Sequence, residues 1–245
     1  MNIFETIVYA FFAGLLPALV WLWFWLHEDK EHPEPRSTLA FTFTTGMSMI
    51  FLAIPLEAFF YQNSPTPFWR FTAWAAVEEI LKFSAAYIAA LHTKQFDEPL
   101  DAVIYMMCAA LGFAALENTL FILNSSVSGT PAIINTSIYS TIFLTNLRFI
   151  GANLLHVVAS STIGIAMAWS FYKSKAKKIF WAVGGIFVAI VLHTIFNLFI
   201  IDGSSGSIFL IFSIVWITMI GFALVFEEIK RMRAPVTQIL LKNNL

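Results

Sequence analysis

Seven apolar stretches, each long enough to cross a lipid bilayer, constrain the fold of this chain more than any other feature. A membrane-spanning helix needs about 20 consecutive, mainly apolar residues. Such stretches recur from one end of the chain to the other, and short polar connections separate most of them. We expect each stretch to form a transmembrane helix, with approximate bounds 3–26, 38–60, 68–91, 100–123, 149–172, 179–201 and 208–226.

The composition agrees with a membrane protein. Hydrophobic residues make up 59% of the 245 residues and charged residues only 12%, whereas soluble domains average about 45–50% and about 25%. The formal net charge of −1 gives no reason to expect a nucleic-acid partner. We therefore predict an all-α, polytopic membrane helix bundle of about seven transmembrane helices, formed as a single membrane-embedded domain over residues 1–245.

Basic residues are distributed unevenly between the connections. Four lysines lie between the fifth and sixth stretches, and a second basic group follows the last stretch. Because lysine and arginine are enriched in cytoplasmic loops, both regions should be cytoplasmic. The sequence predicts a multi-pass protein of the plasma membrane with its C-terminus in the cytoplasm and its N-terminus outside.

Three ionisable residues interrupt the third apolar stretch. Glu78, Glu79 and Lys82 lie within little more than one helical turn of each other. A charged side chain at the centre of a membrane helix costs about 2.5–3.5 kcal/mol on insertion scales, so such residues usually mark functional sites that face protein or water.

Other stretches place ionisable groups at a similar depth. Glu117, His156 and His193 all lie some way inside their predicted spans. At a rise of 1.5 Å per residue, these residues and the glutamate pair come out ~9–17 Å below the outer boundary. We therefore expect four helices to deliver carboxylates and imidazoles to one site in the outer half of the bilayer.

Further polar residues accompany this group at helical spacing. Asn118 follows Glu117, and Ser160 and Asn197 lie four residues after the two histidines, on the same helix faces. Arg148 lies about two helical turns before His156 and could orient a carboxylate or reach the membrane surface. These residues are candidates to support the site.

The cluster admits several chemistries. In one, a glutamate whose proton affinity is raised by burial and by its neighbour takes a proton from water, and imidazole and carboxamide groups stabilise the oxyanion. In another, His156, His193 and a glutamate, for which we take Glu79, hold a zinc ion. The H-E-x-x-H zinc motif is absent from the sequence, so zinc stays an open alternative.

Non-hydrolytic roles are also open. The glutamates and Lys82 could form a buried ion pair, with the histidines acting as hydrogen-bonded packing residues. Intramembrane Glu and His chains also serve as proton relays, which would suit a proton- or cation-coupled transporter. A catalytically inert scaffold that binds transmembrane helices is a third alternative.

The same residues fall in motifs that resemble a known family. The motifs are Glu78-Glu79-x-x-Lys82, Phe113-x-x-x-Glu117-Asn118, Arg148-x7-His156-x3-Ser160 and His193-x3-Asn197. The loop Pro33-Glu34-Pro35 and the run Asp101-Ala-Val-Ile-Tyr105 fit the same pattern. Taken together they resemble the PrsW family of intramembrane proteases, which is related to the CAAX-processing type II proteases, over about residues 14 to 225.

The resemblance implies a function. It implies a multi-helix membrane protease, often described as a metalloprotease, that cleaves a membrane protein near the outer face of the membrane. The substrate it implies is a protein like an anti-sigma factor. Carried over to this chain, the site would consist of Glu78, Glu79, Glu117, His156 and His193, with Asn118 and Asn197 in support.

Overall fold

The chain folds into eight α-helices in the part that the structure describes, a computed structural model covering residues 3–28, 33–127, 138–202 and 205–232. Side chains are described for 3–27, 33–124, 151–198 and 213–232. The prediction of an all-α, polytopic membrane bundle is confirmed. The helices are α1 (Ile3–Glu28), α2 (Arg36–Ser48), α3 (Ile50–Asn63), α4 (Pro67–Ala86), α5 (Pro99–Val127), α6 (Ile138–Ser170), α7 (Lys175–Asp202) and α8 (Ser205–Lys230).

Five helical segments of the described chain are long and apolar enough to cross a membrane. They are Ile3–His27, Arg36–Asn63, Pro99–Asn124, Gly151–Ser170 and Lys175–Leu198. The second of these joins α2 and α3, which are separated only by a turn at Met49. Helix α4 is less apolar because it carries the ionisable residues of the third predicted span. Of the seventh predicted span, 208–226, the side chains before residue 213 lie outside the described part.

Helix α4 has defined ends that fix the positions of its charged residues. Pro67 occupies the first helical turn, where a missing N–H costs no hydrogen bond. The hydroxyl of Thr66 caps this end by accepting from the backbone N–H of Trp69, at 3.4 Å. At the other end, α4 continues into a π-helical turn, Tyr87–Leu91. Glu78, Glu79 and Lys82 therefore lie well inside a single ordered helix.

Helix α5 is the central helix of the bundle. In its most apolar 18-residue stretch, 94% of the residues are buried, and α5 packs against α1, α2 and α6. Glycines at the crossings allow very close approach: a Cβ added at Gly112 would lie 2.0 Å from the carbonyl oxygen of Phe43, and one at Gly164 would lie 2.6 Å from the Cα of Val103. Small residues at helix crossings provide the van der Waals packing that holds membrane helices together.

A polar contact anchors the start of α5 to the segment that precedes α2. The hydroxyl of Tyr105, which is fully buried, donates to the carboxylate of Glu34. Nearby, the carboxylate of Asp101 accepts from the backbone N–H groups of Asp97 and Glu98, both at 2.8 Å. The structure thus joins two motifs that lie about 70 residues apart in the sequence.

The α2–α5 crossing provides a test of the close packing. We expect Gly112→Ala to lower the free energy of unfolding in detergent by about 1–3 kcal/mol, because the new Cβ overlaps the backbone of α2. Gly184→Ala is the matched control, since nothing lies within 4 Å of a Cβ added there. Equal stability of the two variants would contradict the crossing.

Candidate active site

Four helices bring their ionisable residues together at one place. Helix α4 contributes the glutamate pair and Lys82, and α5 contributes Glu117. Helix α6 contributes His156 and Ser160, and α7 contributes His193. The side chains of the cluster that are at most 7% exposed are Glu78, Glu79, Lys82, His156 and His193, together with Ser160.

The ammonium group of Lys82 lies at the centre of the cluster. Its Nζ atom is 2.9 Å from Glu78 Oε2, 3.0 Å from Glu79 Oε1 and 2.7 Å from His156 Nδ1. An ammonium has three N–H donors and no acceptor, so each of its protons has one acceptor here. The ring of Phe113 lies 4.7 Å from the same Nζ atom and adds a cation–π contact.

These contacts favour one tautomer of His156. Because Lys82 can only donate, Nδ1 of His156 must accept, and the proton of the neutral ring is on Nε2. Nε2 of His156 lies 2.9 Å from Glu117 Oε2. The two groups are in close polar contact but are not aligned for a hydrogen bond. The side chain of Glu117 is 44% exposed although its Oε2 atom is buried, so Glu117 forms the open edge of the cluster.

Glu79 is held from several sides. Its Oε1 atom lies 2.8 Å from His193 Nδ1, and its Oε2 accepts from the hydroxyl of Ser160 at 2.7 Å. When His193 is a neutral donor to this carboxylate, its Nε2 carries the lone pair. That Nε2 lies 3.7 Å from Glu78 Oε2. Glu78 Oε2 and His193 Nε2 therefore face each other, and both atoms are hydrogen-bond acceptors.

Glu78, His156 and His193 form a buried group that could hold a metal ion. Their donor atoms all lie within 4.8 Å of one another, and two imidazoles with one carboxylate is a ligand set that zinc uses. The other nitrogen of each ring faces a carboxylate, Glu117 or Glu79, as the rings of metal-binding histidines usually do. The donor chemistry therefore fits zinc, with Glu78 rather than Glu79 in the set.

Two residues proposed from the sequence, Asn197 and Asn118, lie apart from these contacts. The side chain of Asn197 is half-buried and makes no hydrogen bond to any described residue. Asn118 is buried, and its Nδ2 has no hydrogen-bond partner within the described chain. The side chain of Arg148 lies outside the described residues.

One member of the cluster was not recognised as such from the sequence. Phe113 lies against both the Lys82 ammonium and the His156 ring, whose centroid is 6.2 Å away. Its position four residues before Glu117 places it on the same helix face, and this spacing was the available signal.

Buried carboxylates and imidazoles inside a polytopic membrane bundle define a membrane-embedded polar site whose chemistry suits hydrolysis. The comparisons with known proteins give the family. A family model described as "PrsW family intramembrane metalloprotease" matches residues 34–225, and the chain belongs to this family. The resemblance found in the motifs is thereby confirmed, and the chain is an integral, multi-pass membrane protease.

Curated relatives agree with this assignment. Protease PrsW of Geobacillus kaustophilus is 31% identical over 119 residues, 47% of this chain and 52% of the relative, so this match spans about half of that protein's length. Protease PrsW of Clostridioides difficile is 26% identical over 196 residues, 76% of this chain and 77% of the relative. That of Bacillus subtilis is 25% identical over 206 residues, 80% of this chain and 84% of the relative. No solved structure matches.

Removal of the central ammonium tests the electrostatics of the cluster. We expect Lys82→Met to lower the free energy of unfolding by about 3–5 kcal/mol, because it leaves two buried carboxylates without their cation. Lys230→Met, which removes a partly exposed partner of Glu227, should change stability by less than about 1 kcal/mol. Unfolding midpoints in detergent compare the two. Similar losses in both variants would contradict a central role for Lys82.

Proposed function

We propose that this protease hydrolyses a peptide bond of a membrane protein with a water molecule that Glu78 activates, at a site in the outer half of the bilayer. The observation that carries the proposal is the facing pair of acceptors, Glu78 Oε2 and His193 Nε2, at 3.7 Å. One water can donate a proton to each of them and direct its own lone pair outward. Glu78 then takes the proton as the hydroxide attacks the scissile carbonyl, and later transfers it to the leaving amine.

The two adjacent glutamates have different surroundings, which favours Glu78 as the base. Both carboxylate oxygens of Glu79 are engaged by Lys82, His193 and Ser160, and the side chain is 0% exposed. Among the described side chains, Glu78 makes its close contact with Lys82 through Oε2, and its own side chain is 7% exposed. We assign Glu79 the role of orienting His193, and Glu78 the proton transfer.

Several residues would support the transition state. Lys82 balances the charge of the glutamate pair, and Glu117 orients the ring of His156 from the open edge of the cluster. Asn197 lies one helical turn after His193, where its amide could donate to the oxyanion. Asn118, Arg148 and Ser160 complete the supporting set, of which Ser160 already holds Glu79.

Hydrolysis with the help of a bound zinc ion is the alternative mechanism for the same site. Held by Glu78, His156 and His193, it would supply a more acidic water and polarise the carbonyl. The sequence-based alternative with Glu79 as ligand is less favourable, because the oxygens of Glu79 already serve His193 and Ser160. With zinc bound, Glu78 and His193 would serve as ligands instead of accepting protons from the water, while Glu79 and Glu117 would keep their contacts with the two histidines.

The location of the site follows from the proposed topology. A cytoplasmic C-terminus and seven spans in the plasma membrane place the start of α4 at the outer face. Glu78 lies eleven residues after Pro67, which is about 17 Å at 1.5 Å per residue. A substrate helix must unwind here, since a regular helix shields its backbone carbonyls. By family resemblance we propose a substrate like an anti-sigma factor.

Substitution of the base gives the direct test. We expect Glu78→Gln to lower the cleavage rate by about 10²–10⁴-fold, because the amide cannot accept the proton of water. The unfolding midpoint should change little, since the introduced amide keeps an oxygen that can accept from Lys82. Cleavage is measured by mass spectrometry of new N-termini in membranes from cells that produce each variant.

The control for this comparison is Glu227→Gln, an exposed glutamate on α8, which should cleave like the wild type. New N-termini that are lost with Glu78→Gln and lie in the outer half of substrate spans support the proposal. Undiminished cleavage by Glu78→Gln would remove this residue from the role of base.

The topology can be checked independently. We expect a fluorescent protein fused after Leu245 to fluoresce in the cytoplasm, because the basic residues after α8 hold that end inside. A periplasmic reporter enzyme at the same point should be inactive. The opposite pattern would place the site in the inner half of the bilayer.

A further inference from the structure

The cluster is built like a cation site, and a lysine of the chain supplies the cation. The lone pair of His156 Nδ1 and the Oε2 atom of Glu78 both point at Lys82 Nζ, at 2.7 and 2.9 Å. A carboxylate lies close to one nitrogen of each imidazole: Glu117 to Nε2 of His156, and Glu79 to Nδ1 of His193. Such outer partners normally fix the tautomer of histidines that bind a metal. In this protein the two carboxylates orient the rings of His156 and His193, and the ring of His156 faces the ammonium of Lys82.

The ammonium and a metal ion would need almost the same space. His156 Nδ1 and Glu78 Oε2 are 3.9 Å apart, a separation that one ion can bridge. From these atoms and their distances to Nζ, an ion about 2.1 Å from both would lie within about 3 Å of Nζ. Two cations at that distance repel each other strongly in a buried site. Lys82 and a bridging divalent ion therefore exclude each other.

Lys82 is also firmly held in this position. It is 0% exposed, its three protons have acceptors, and its charge lies over the ring of Phe113. Displacing it would break these contacts together and leave Glu79 without its cation. The carboxylate of Glu79 is outside the group of three donors, so a metal at that group would replace only part of what Lys82 provides.

We propose that Lys82 is a built-in competitor for divalent metal: its ammonium occupies the cation position of the Glu78/His156/His193 group, and zinc binds there only when Lys82 is displaced. The proposal deepens the proposed function, because it describes how the proposed site treats a divalent cation. In the resting enzyme the ammonium of Lys82 occupies the cation site. Lys82 is then the residue that determines how tightly the site binds a metal ion.

The test is the affinity for zinc itself, measured by isothermal titration on detergent-purified protein. We expect Lys82→Met to bind one zinc at least about tenfold more tightly than the wild type, a change of about 1.4 kcal/mol. Lys82→Arg, which keeps a positive charge, should show no gain. Adding His193→Ala to Lys82→Met should abolish the gained binding, because it removes one of the three donors.

A second variant guards against poor folding of Lys82→Met. The double variant Lys82→Met/Glu79→Gln removes one positive and one negative charge together and leaves all three donors in place. The amide introduced by Glu79→Gln retains an oxygen that can accept from His193 Nδ1. We expect the double variant to show the same gain in zinc affinity, and zinc should raise its unfolding temperature more than that of the wild type.

The wild-type protein gives a decisive result even if neither variant folds. The proposal predicts that the wild type binds zinc only weakly, with no stoichiometric, sub-micromolar site. A stoichiometric, sub-micromolar site in the wild type that His193→Ala removes would overturn it, as would equal zinc affinity in the wild type and Lys82→Met. None of these measurements depends on cleavage, so the metal proposal and the proposed base can fail separately.

Discussion

The contact on which the site depends is that of one buried ammonium with two carboxylates and an imidazole. Glu78 and Glu79 are adjacent in the sequence and would repel each other inside a membrane protein. Lys82, one turn later on the same helix, lies within 3.0 Å of both, and its third proton reaches His156 on α6. This arrangement lets a membrane helix carry two carboxylates, and it ties that helix to a second one.

Close packing around α5 makes this arrangement feasible. Helices α2 and α6 approach α5 at glycines where no Cβ would fit, so that α4, α6 and α7 can meet around one small space. Glu117 on α5 then lies at the edge of the cluster with 44% of its side chain exposed. The buried residues are thus connected to a more open edge on which a substrate backbone could approach.

Much of the fold could be predicted from the sequence, because apolar length is a strong signal in a membrane protein. The third predicted span, 68–91, agrees closely with Pro67–Ala86 and its π-helical turn. The apolar pattern did not predict the turn at Met49 between α2 and α3, although Gly46 lies three residues before it and Pro55 lies within α3.

The members of the candidate site were also predictable, but their individual contacts were not. The cost of a charge in lipid singles out Glu78, Glu79 and Lys82 whatever the fold. The rotation of α4 about its axis, relative to α6 and α7, decides which of the two glutamates has both carboxylate oxygens engaged. The spacing of residues in the sequence does not reveal this. Only the folded arrangement shows that Ser160 and His193 engage Glu79 and that Phe113 lies beneath the ammonium.

Nitrogen NMR of histidine- and lysine-labelled protein in lipid vesicles tests this central arrangement most directly. The account predicts opposite neutral tautomers, with the proton on Nε2 in His156 and on Nδ1 in His193, and a short coupling between Lys82 Nζ and His156 Nδ1. Two identical tautomers, or a Lys82 Nζ without contact to His156, would contradict it.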